Sequence, residues 1–75
     1  MLDVIIYSLE KQIFQGKAKC VIFPGENGVF EILSYHKPLL SRLVNGKIFV
    51  DDQVFNVRCG IVGINHNKAT VVIEE

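Results

Sequence analysis

The apolar residues of this chain are mostly β-branched, and they occur in short runs. Valine and isoleucine together supply 19 of the 75 residues, whereas alanine supplies 2. β-Branched side chains are restricted in helices and pack well on pleated sheets. Turn-forming residues interrupt the apolar runs at 24–25, 27–28, 45–46, 51–52, 60 and 65–67. Short apolar runs bounded by such residues are typical of strands, so the sequence predicts an all-β protein.

Alternation within the runs indicates which side chains face the core. Ala18, Cys20 and Ile22 are expected on one face, opposite Lys17 and Lys19. We expect a single antiparallel β-sandwich or flattened barrel of about ten short strands, formed as one domain by residues 1–75. The strand ranges predicted are 2–8, 12–15, 17–23, 29–33, 40–44, 47–51, 53–59, 61–65 and 69–74.

Two dipeptides predict specific turns. Pro24-Gly25 suits the central positions of a type II turn, because proline presets φ and glycine accepts a positive φ. Asn45-Gly46 predicts a type I′ hairpin, since both of its central residues need a positive φ. Residues 24–28 could also suggest a phosphate loop. Such a loop requires Gly-Lys-Ser/Thr opening a helix, so a tight turn between strands is the expectation.

The charge balance argues against several classes of partner. Lysine and arginine number 8, and aspartate and glutamate number 8, which gives a net charge of zero. Nucleic-acid binding and polybasic membrane attachment both favour a basic excess, so neither is expected. The N-terminus lacks a basic region and Asp3 interrupts its apolar run, so no signal peptide is expected. No run approaches the ~20 apolar residues of a membrane span. A soluble, reducing, cytoplasmic setting is the expectation.

The cysteines and histidines offer little chemistry. Cys20 and Cys59 are too few for a disulfide scaffold, and both are expected to be inert thiols in the core. A zinc site formed by these two cysteines with His36 and His66 is conceivable. The chain has no CxxC or HxxxH pair to support it. No serine or cysteine lies in a pattern typical of a nucleophile, so no catalytic, metal-binding or cofactor-binding residue is predicted.

Several segments resemble the N-terminal β-sandwich domain of the epsilon subunit of the rotary F-type ATP synthase. Residues 8–16 resemble its opening Ser/Thr-x-Glu-x-x-x-Phe-x-Gly, and 24–28 resemble its Pro-Gly-x-x-Gly turn. Residues 32–40 resemble Ile-Leu-Pro-x-His-x-Pro-Leu-Leu, the most specific motif. Gly46, the segment 60–64 and Asn67 fall where the family has related residues. The order and spacing of these segments carry the resemblance.

The chain also departs from the family pattern. Glu31 stands where the family usually has glycine, Ser34 where it has proline, and Cys59 where it has the first glycine of a pair. The C-terminal helical hairpin of most members has no counterpart in these 75 residues. In members that sense ATP, the ligand contacts lie largely on that hairpin. ATP binding is therefore not expected.

The resemblance implies a ten-stranded sandwich in the rotor of the enzyme. Such a domain joins the gamma subunit to the membrane c-ring and makes or breaks no bond itself. It would lie on the cytoplasmic side of a bacterial inner membrane and associate with the membrane only through the complex. The alternatives are an unrelated sandwich that binds proteins and, more remotely, a small enzyme or metal protein.

The resemblance also suggests partner-contact residues. The end facing the c-ring is expected to include Val29, Glu31, Ser34 and His36. Family members commonly have an acidic residue at the position of Val29, and Glu31 lies on the same face two positions later. His36 is expected beside it as a pH-sensitive or hydrogen-bonding neighbour.

The second half of the chain has more apolar residues than a core needs, and this excess predicts a face that binds the gamma subunit, the gamma face. Three of these apolar residues, Ile61, Val62 and Ile64, lie within four positions, although a strand with its core on one side needs apolar residues only at alternate positions. Val62 is therefore expected to point outward, with Phe49 or Val71 near it.

Overall fold

Every regular element of the protein is a strand. The computed structural model describes residues 1–75 and contains no helix, which confirms the all-β prediction. No segment is therefore a long apolar helix of the kind that crosses a membrane. The strand number is nine rather than ten. The strands are β1 (Leu2–Ser8), β2 (Gln12–Ala18), β3 (Cys20–Gly25), β4 (Gly28–Leu33), β5 (Leu39–Leu43), β6 (Gly46–Val50), β7 (Gln53–Val57), β8 (Cys59–Asn65) and β9 (Lys68–Glu74).

One continuous sheet curls into two layers. The first layer has the strand order β2-β1-β9-β8-β5, and the second has the order β4-β3-β6-β7. The layers join where Leu43 of β5 pairs with Gly25 of β3. All paired strands run antiparallel except β1 and β9, which run parallel. The sandwich prediction is confirmed, with this one parallel pair added to it.

The space between the layers is entirely apolar. A single cluster of 16 buried residues draws on both layers, and no buried residue is polar or charged. The free edges of β2 and β7 approach each other through Phe14 and Phe55, whose ring centroids are 5.5 Å apart. This contact closes the side of the sandwich that has no backbone pairing. The largest fully buried side chains are Phe23, Leu2, Ile6, Ile32, Ile48, Ile64 and Ile73.

At two of its crossings between layers the chain uses a single residue, and the alternation of side chains reverses there. Lys19 separates β2 from β3, so Val21 and Phe23 are fully buried. The prediction that Cys20 and Ile22 face the core is therefore wrong, since both are only half-buried. A side-chain pattern of period two keeps its phase only within an unbroken strand.

The Asn45-Gly46 hairpin prediction is wrong for a different reason. β5 pairs with β8 and β6 pairs with β7, so the two strands flanking this dipeptide belong to different layers. Neither residue has a positive φ. Gly46 instead permits a close approach, because a Cβ atom there would lie 2.8 Å from the Cβ of Pro24. Packing of β6 against β3 overrides the local turn preference.

The β8–β9 hairpin contains the turn that Asn-Gly was expected to form. His66 and Asn67 have φ values of 50° and 59°, the positive pair that a two-residue type I′ loop requires. The Pro24-Gly25 turn is also misplaced in the prediction. Both residues lie within β3, and the turn to β4 is at 26–27. This turn joins two strands, so the segment has no helix to complete a phosphate loop.

Candidate partner-binding surfaces

Two of the four predicted c-ring residues, Val29 and Glu31, lie on β4 at an edge of the second layer, and Ser34 and His36 follow in the segment between β4 and β5. β4 pairs only with β3, and its alternate residues Val29 and Glu31 are both exposed on one face. Glu31 has no positive φ, so glutamate fits without backbone strain at a position where glycine was the expected family residue. Because β4 is an edge strand, its outer side chains are free to meet another molecule.

A shallow groove brings three of the four predicted residues together. Val29, Glu31 and His36 line a depression of about 340 Å³, together with Leu39, Gly25, Asn27 and Gly28. Ser34 does not line it and is half-buried. Nδ1 of His36 donates a hydrogen bond to the carbonyl oxygen of Lys37 at 2.7 Å. We call this feature the β4 groove.

The segment between β4 and β5 contains functional candidates that sequence reasoning missed. Tyr35 is 82% exposed and has a φ of 61°. Its backbone N–H donates to Oδ1 of Asn67 at 2.7 Å, and Nδ2 of Asn67 donates to the carbonyl oxygen of Met1 at 2.8 Å. The sequence signal was Asn67 itself, an amide in a turn motif, but only the fold shows that it reaches this loop.

The predicted outward direction of Val62 and Val71 is wrong. Both are 0% exposed, and they pair with each other between β8 and β9. The cause is the layer crossing at Arg58, which sets the phase of β8 so that its even-numbered residues face the core. Phe49 does point outward, but it lies on β6 in the other layer. The three predicted gamma-face residues therefore cannot form one surface.

The outer side of the first layer has a different apolar row, which we call the Ile61 face. Ile61, Val72 and Tyr7 are cross-strand neighbours on β8, β9 and β1, and each is about 40% exposed. Leu9 and Gly60 border an apolar hollow of about 230 Å³ beside the row. Exposed apolar side chains that are contiguous across strands indicate a protein contact surface.

The outer side of the second layer has a row of mixed character. Glu31, Ile22, Phe49 and Val54 follow one another across β4, β3, β6 and β7. Phe49 is 39% exposed and Val54 is 49% exposed. A carboxylate thus borders this face, whereas the exposed Arg42 of β5 borders the Ile61 face.

Neither cysteine is a core thiol, so that prediction is wrong. Cys59 is exposed, and its Sγ donates to Oε2 of Glu74 at 3.4 Å. This contact raises the pKa of Cys59, because the thiolate would face a carboxylate. Desolvation, followed by the nearby Glu31, raises the pKa of Cys20. No three His, Cys, Asp or Glu side chains are grouped as metal ligands would be.

The fold and its surfaces define a small β-sandwich with an apolar interior and exposed apolar faces. Residues 1–75 match the family described as the ATP synthase delta/epsilon chain, β-sandwich domain. The chain belongs to this family. The alternative of an unrelated sandwich domain is therefore wrong.

Individual relatives agree with the family assignment. The ATP synthase epsilon chain of Chlorobaculum tepidum is 34% identical over an alignment of 79 positions, gaps included, which covers 99% of this chain and 88% of that protein. Those of a Nitratiruptor species and Bordetella avium are 37% and 36% identical over 97% and 95% of this chain. The matches span only 60% and 54% of those two relatives.

A solved structure shares the fold. A chain in the central stalk/c-ring structure of the Tetrahymena thermophila mitochondrial ATP synthase superposes with a TM-score of 0.80 at 15% identity. The superposition covers 99% of this chain and 63% of that one.

Proposed function

We propose that this chain is a non-catalytic rotor subunit of a proton-translocating F-type ATP synthase. It joins the gamma subunit to the c-ring, on the cytoplasmic side of a bacterial inner membrane, and it lets proton flow drive ATP synthesis elsewhere in the complex. Family membership supports the class of complex. The observation that carries the joining role is the presence of two separate candidate contact surfaces in one small domain, the Ile61 face and the β4 groove.

The two surfaces differ in chemistry, as two different partners require. The Ile61 face presents apolar side chains on three hydrogen-bonded strands, which suits a lasting contact with gamma. The β4 groove combines Val29 with the charged Glu31 and the imidazole of His36. Such a mixed surface suits the polar loops of the c-ring. Glu31 has the role of electrostatic contact with a basic loop residue, and His36 is its neighbour.

Removal and replacement of the chain test the function. Membranes that carry the synthase without this chain are expected to lose ATP-driven proton pumping, and the added chain is expected to restore it. The chain is also expected to co-purify with gamma. If gamma is recovered without it and coupling is the same in its absence, the rotor function is wrong.

Glu31→Gln tests the ring contact. In the assembled enzyme we expect weaker proton-coupled ATP synthesis and a reduced dependence on salt, because an exposed ionic contact is screened by ions. Glu26→Gln is the matched control, since Glu26 is exposed in the adjacent turn but does not line the groove. Coupling and salt dependence equal to wild type in Glu31→Gln would show that the contact lies elsewhere.

A further inference from the structure

Tyr35 has a backbone conformation that its side chain disfavours. Its φ of 61° lies in the left-handed region, where Cβ crowds the backbone of a residue other than glycine. The aromatic ring gains nothing from the fold in return, because the residue is 82% exposed. Glycine would satisfy the backbone at this position without strain. The fold therefore gives no reason for a tyrosine here.

Asn67 fixes this strained loop from the other end of the sequence. Its side chain accepts from the Tyr35 N–H at 2.7 Å and donates to the Met1 carbonyl at 2.8 Å. Its own carbonyl accepts from the N–H of Asp3 at 3.1 Å. One side chain thus holds the loop to the start of β1 and to the β8–β9 turn. The hydrogen bond to the Tyr35 N–H therefore comes from the chain itself and not from a partner.

We propose that Tyr35 is an aromatic anchor for a partner loop and that Asn67 is the residue that positions it. Tyrosine contributes a large contact area with few rotatable bonds, and its hydroxyl group can donate to an acceptor. The partner that fits is a polar protein loop that exposes backbone carbonyl oxygens. Tyr35 does not line the β4 groove, but it directly precedes His36, which does, so we place the anchor beside that surface. The assignment rests on the proposed function, in which this surface meets the c-ring.

Tyr35→Gly distinguishes a role of the side chain in binding from a role in folding, because the variant is expected to raise stability and to lower affinity. Without backbone strain, the isolated chain is expected to melt about 4 °C higher, the size of shift that a small domain shows for a modest gain in stability. Binding to a gamma–c-ring assembly is expected to weaken about tenfold, as for the loss of an interface hot spot. Binding to gamma alone is expected to stay unchanged. Tyr35→Phe is expected to retain part of the affinity, because the ring remains.

His66→Gly is the matched control for strain. His66 is exposed and has a φ of 50°, so glycine relieves the same kind of strain at a position outside the proposed anchor. It is expected to raise the melting temperature and to leave binding to the assembly unchanged. Equal affinities of wild type and Tyr35→Gly for the assembly would overturn the anchor while leaving the rotor function intact. If the wild-type chain does not bind the assembly, both proposals fail.

A double-mutant cycle tests the role of Asn67. Glycine at position 67 accepts the positive φ of 59°, and Asn67→Gly removes both side-chain hydrogen bonds. It is expected to weaken binding severalfold in the wild-type background and to have no further effect in Tyr35→Gly. Equal losses in both backgrounds would show that Asn67 acts on the fold and not through Tyr35. Amide hydrogen exchange at residue 35 is expected to be faster in Asn67→Gly.

Discussion

Polar side chains of this protein act at the corners where the chain changes layer. The Asp51 carboxylate accepts hydrogen bonds from the N–H groups of Lys19 and Cys20, each at 3.1 Å. Asp51 also has a positive φ of 52°, which aspartate tolerates better than most residues. The sequence predicted only a turn at 51–52. At the other corner, Arg58 and Glu74 form an ion pair, and the N–H of Arg58 donates to the carbonyl of Glu74.

Cys59 is expected to react slowly for an exposed thiol. Its contact with the Glu74 carboxylate raises its pKa above that of an ordinary cysteine thiol, so less thiolate is present near pH 8. Glu74→Gln removes the negative charge, so alkylation by iodoacetamide is expected to accelerate and its pH midpoint to fall. Cys20→Ser serves as the background, so that only one thiol reports. An alkylation profile that is unchanged by Glu74→Gln would show that the carboxylate does not control the thiol.

Local patterns predicted the strands well and the connections poorly. Alternating apolar residues and turn residues are local properties, and all nine observed strands overlap predicted ranges. The errors in side-chain direction lie at layer crossings, where one residue such as Lys19 or Arg58 reverses the alternation, whereas the misplaced Pro24-Gly25 turn lies within the second layer. Burial of Val62, and with it the error in the gamma face, follows from that reversal. The Asn67–Tyr35 contact joins residues 32 apart, so no local pattern contains it.

Two glycines of β8 provide a matched test of how closely the first layer packs. A Cβ atom at Gly60 would lie 2.5 Å from the backbone oxygen of Val72, whereas one at Gly63 would meet only Cδ1 of Leu40, at 3.8 Å. Gly60→Ala is expected to cost about 2 kcal/mol, because the β8–β9 pairing must shift. Gly63→Ala is expected to be neutral or to stabilise by about 0.5 kcal/mol. Urea unfolding measures both, and similar effects of the two variants would contradict the close approach at Gly60.

The core of the molecule is small, and many of its apolar side chains remain exposed. Only 19 of 75 residues are buried, and twelve large hydrophobic residues remain exposed. A domain of this size buries a smaller fraction of its surface than larger proteins, so a partner that covers an apolar face adds stability by mass action. The two outer faces each have a row of three apolar side chains, and only the Ile61 face has an apolar hollow beside its row. The row through Ile61 ends at the Arg42 guanidinium, and the row through Phe49 ends at the Glu31 carboxylate.

Charge substitutions on the two outer faces distinguish which one binds gamma. Ile61 and Val54 are 41% and 49% exposed, so lysine can reach solvent from either position and both variants are expected to fold. Ile61→Lys is expected to weaken co-purification with gamma at least tenfold, because the contact would bury an unpaired ammonium group. Val54→Lys is expected to retain gamma, and its melting temperature should match that of Ile61→Lys within a few degrees. If Val54→Lys alone loses gamma, the gamma contact lies on the second layer. If both variants retain gamma, neither Ile61 nor Val54 lies in the gamma contact.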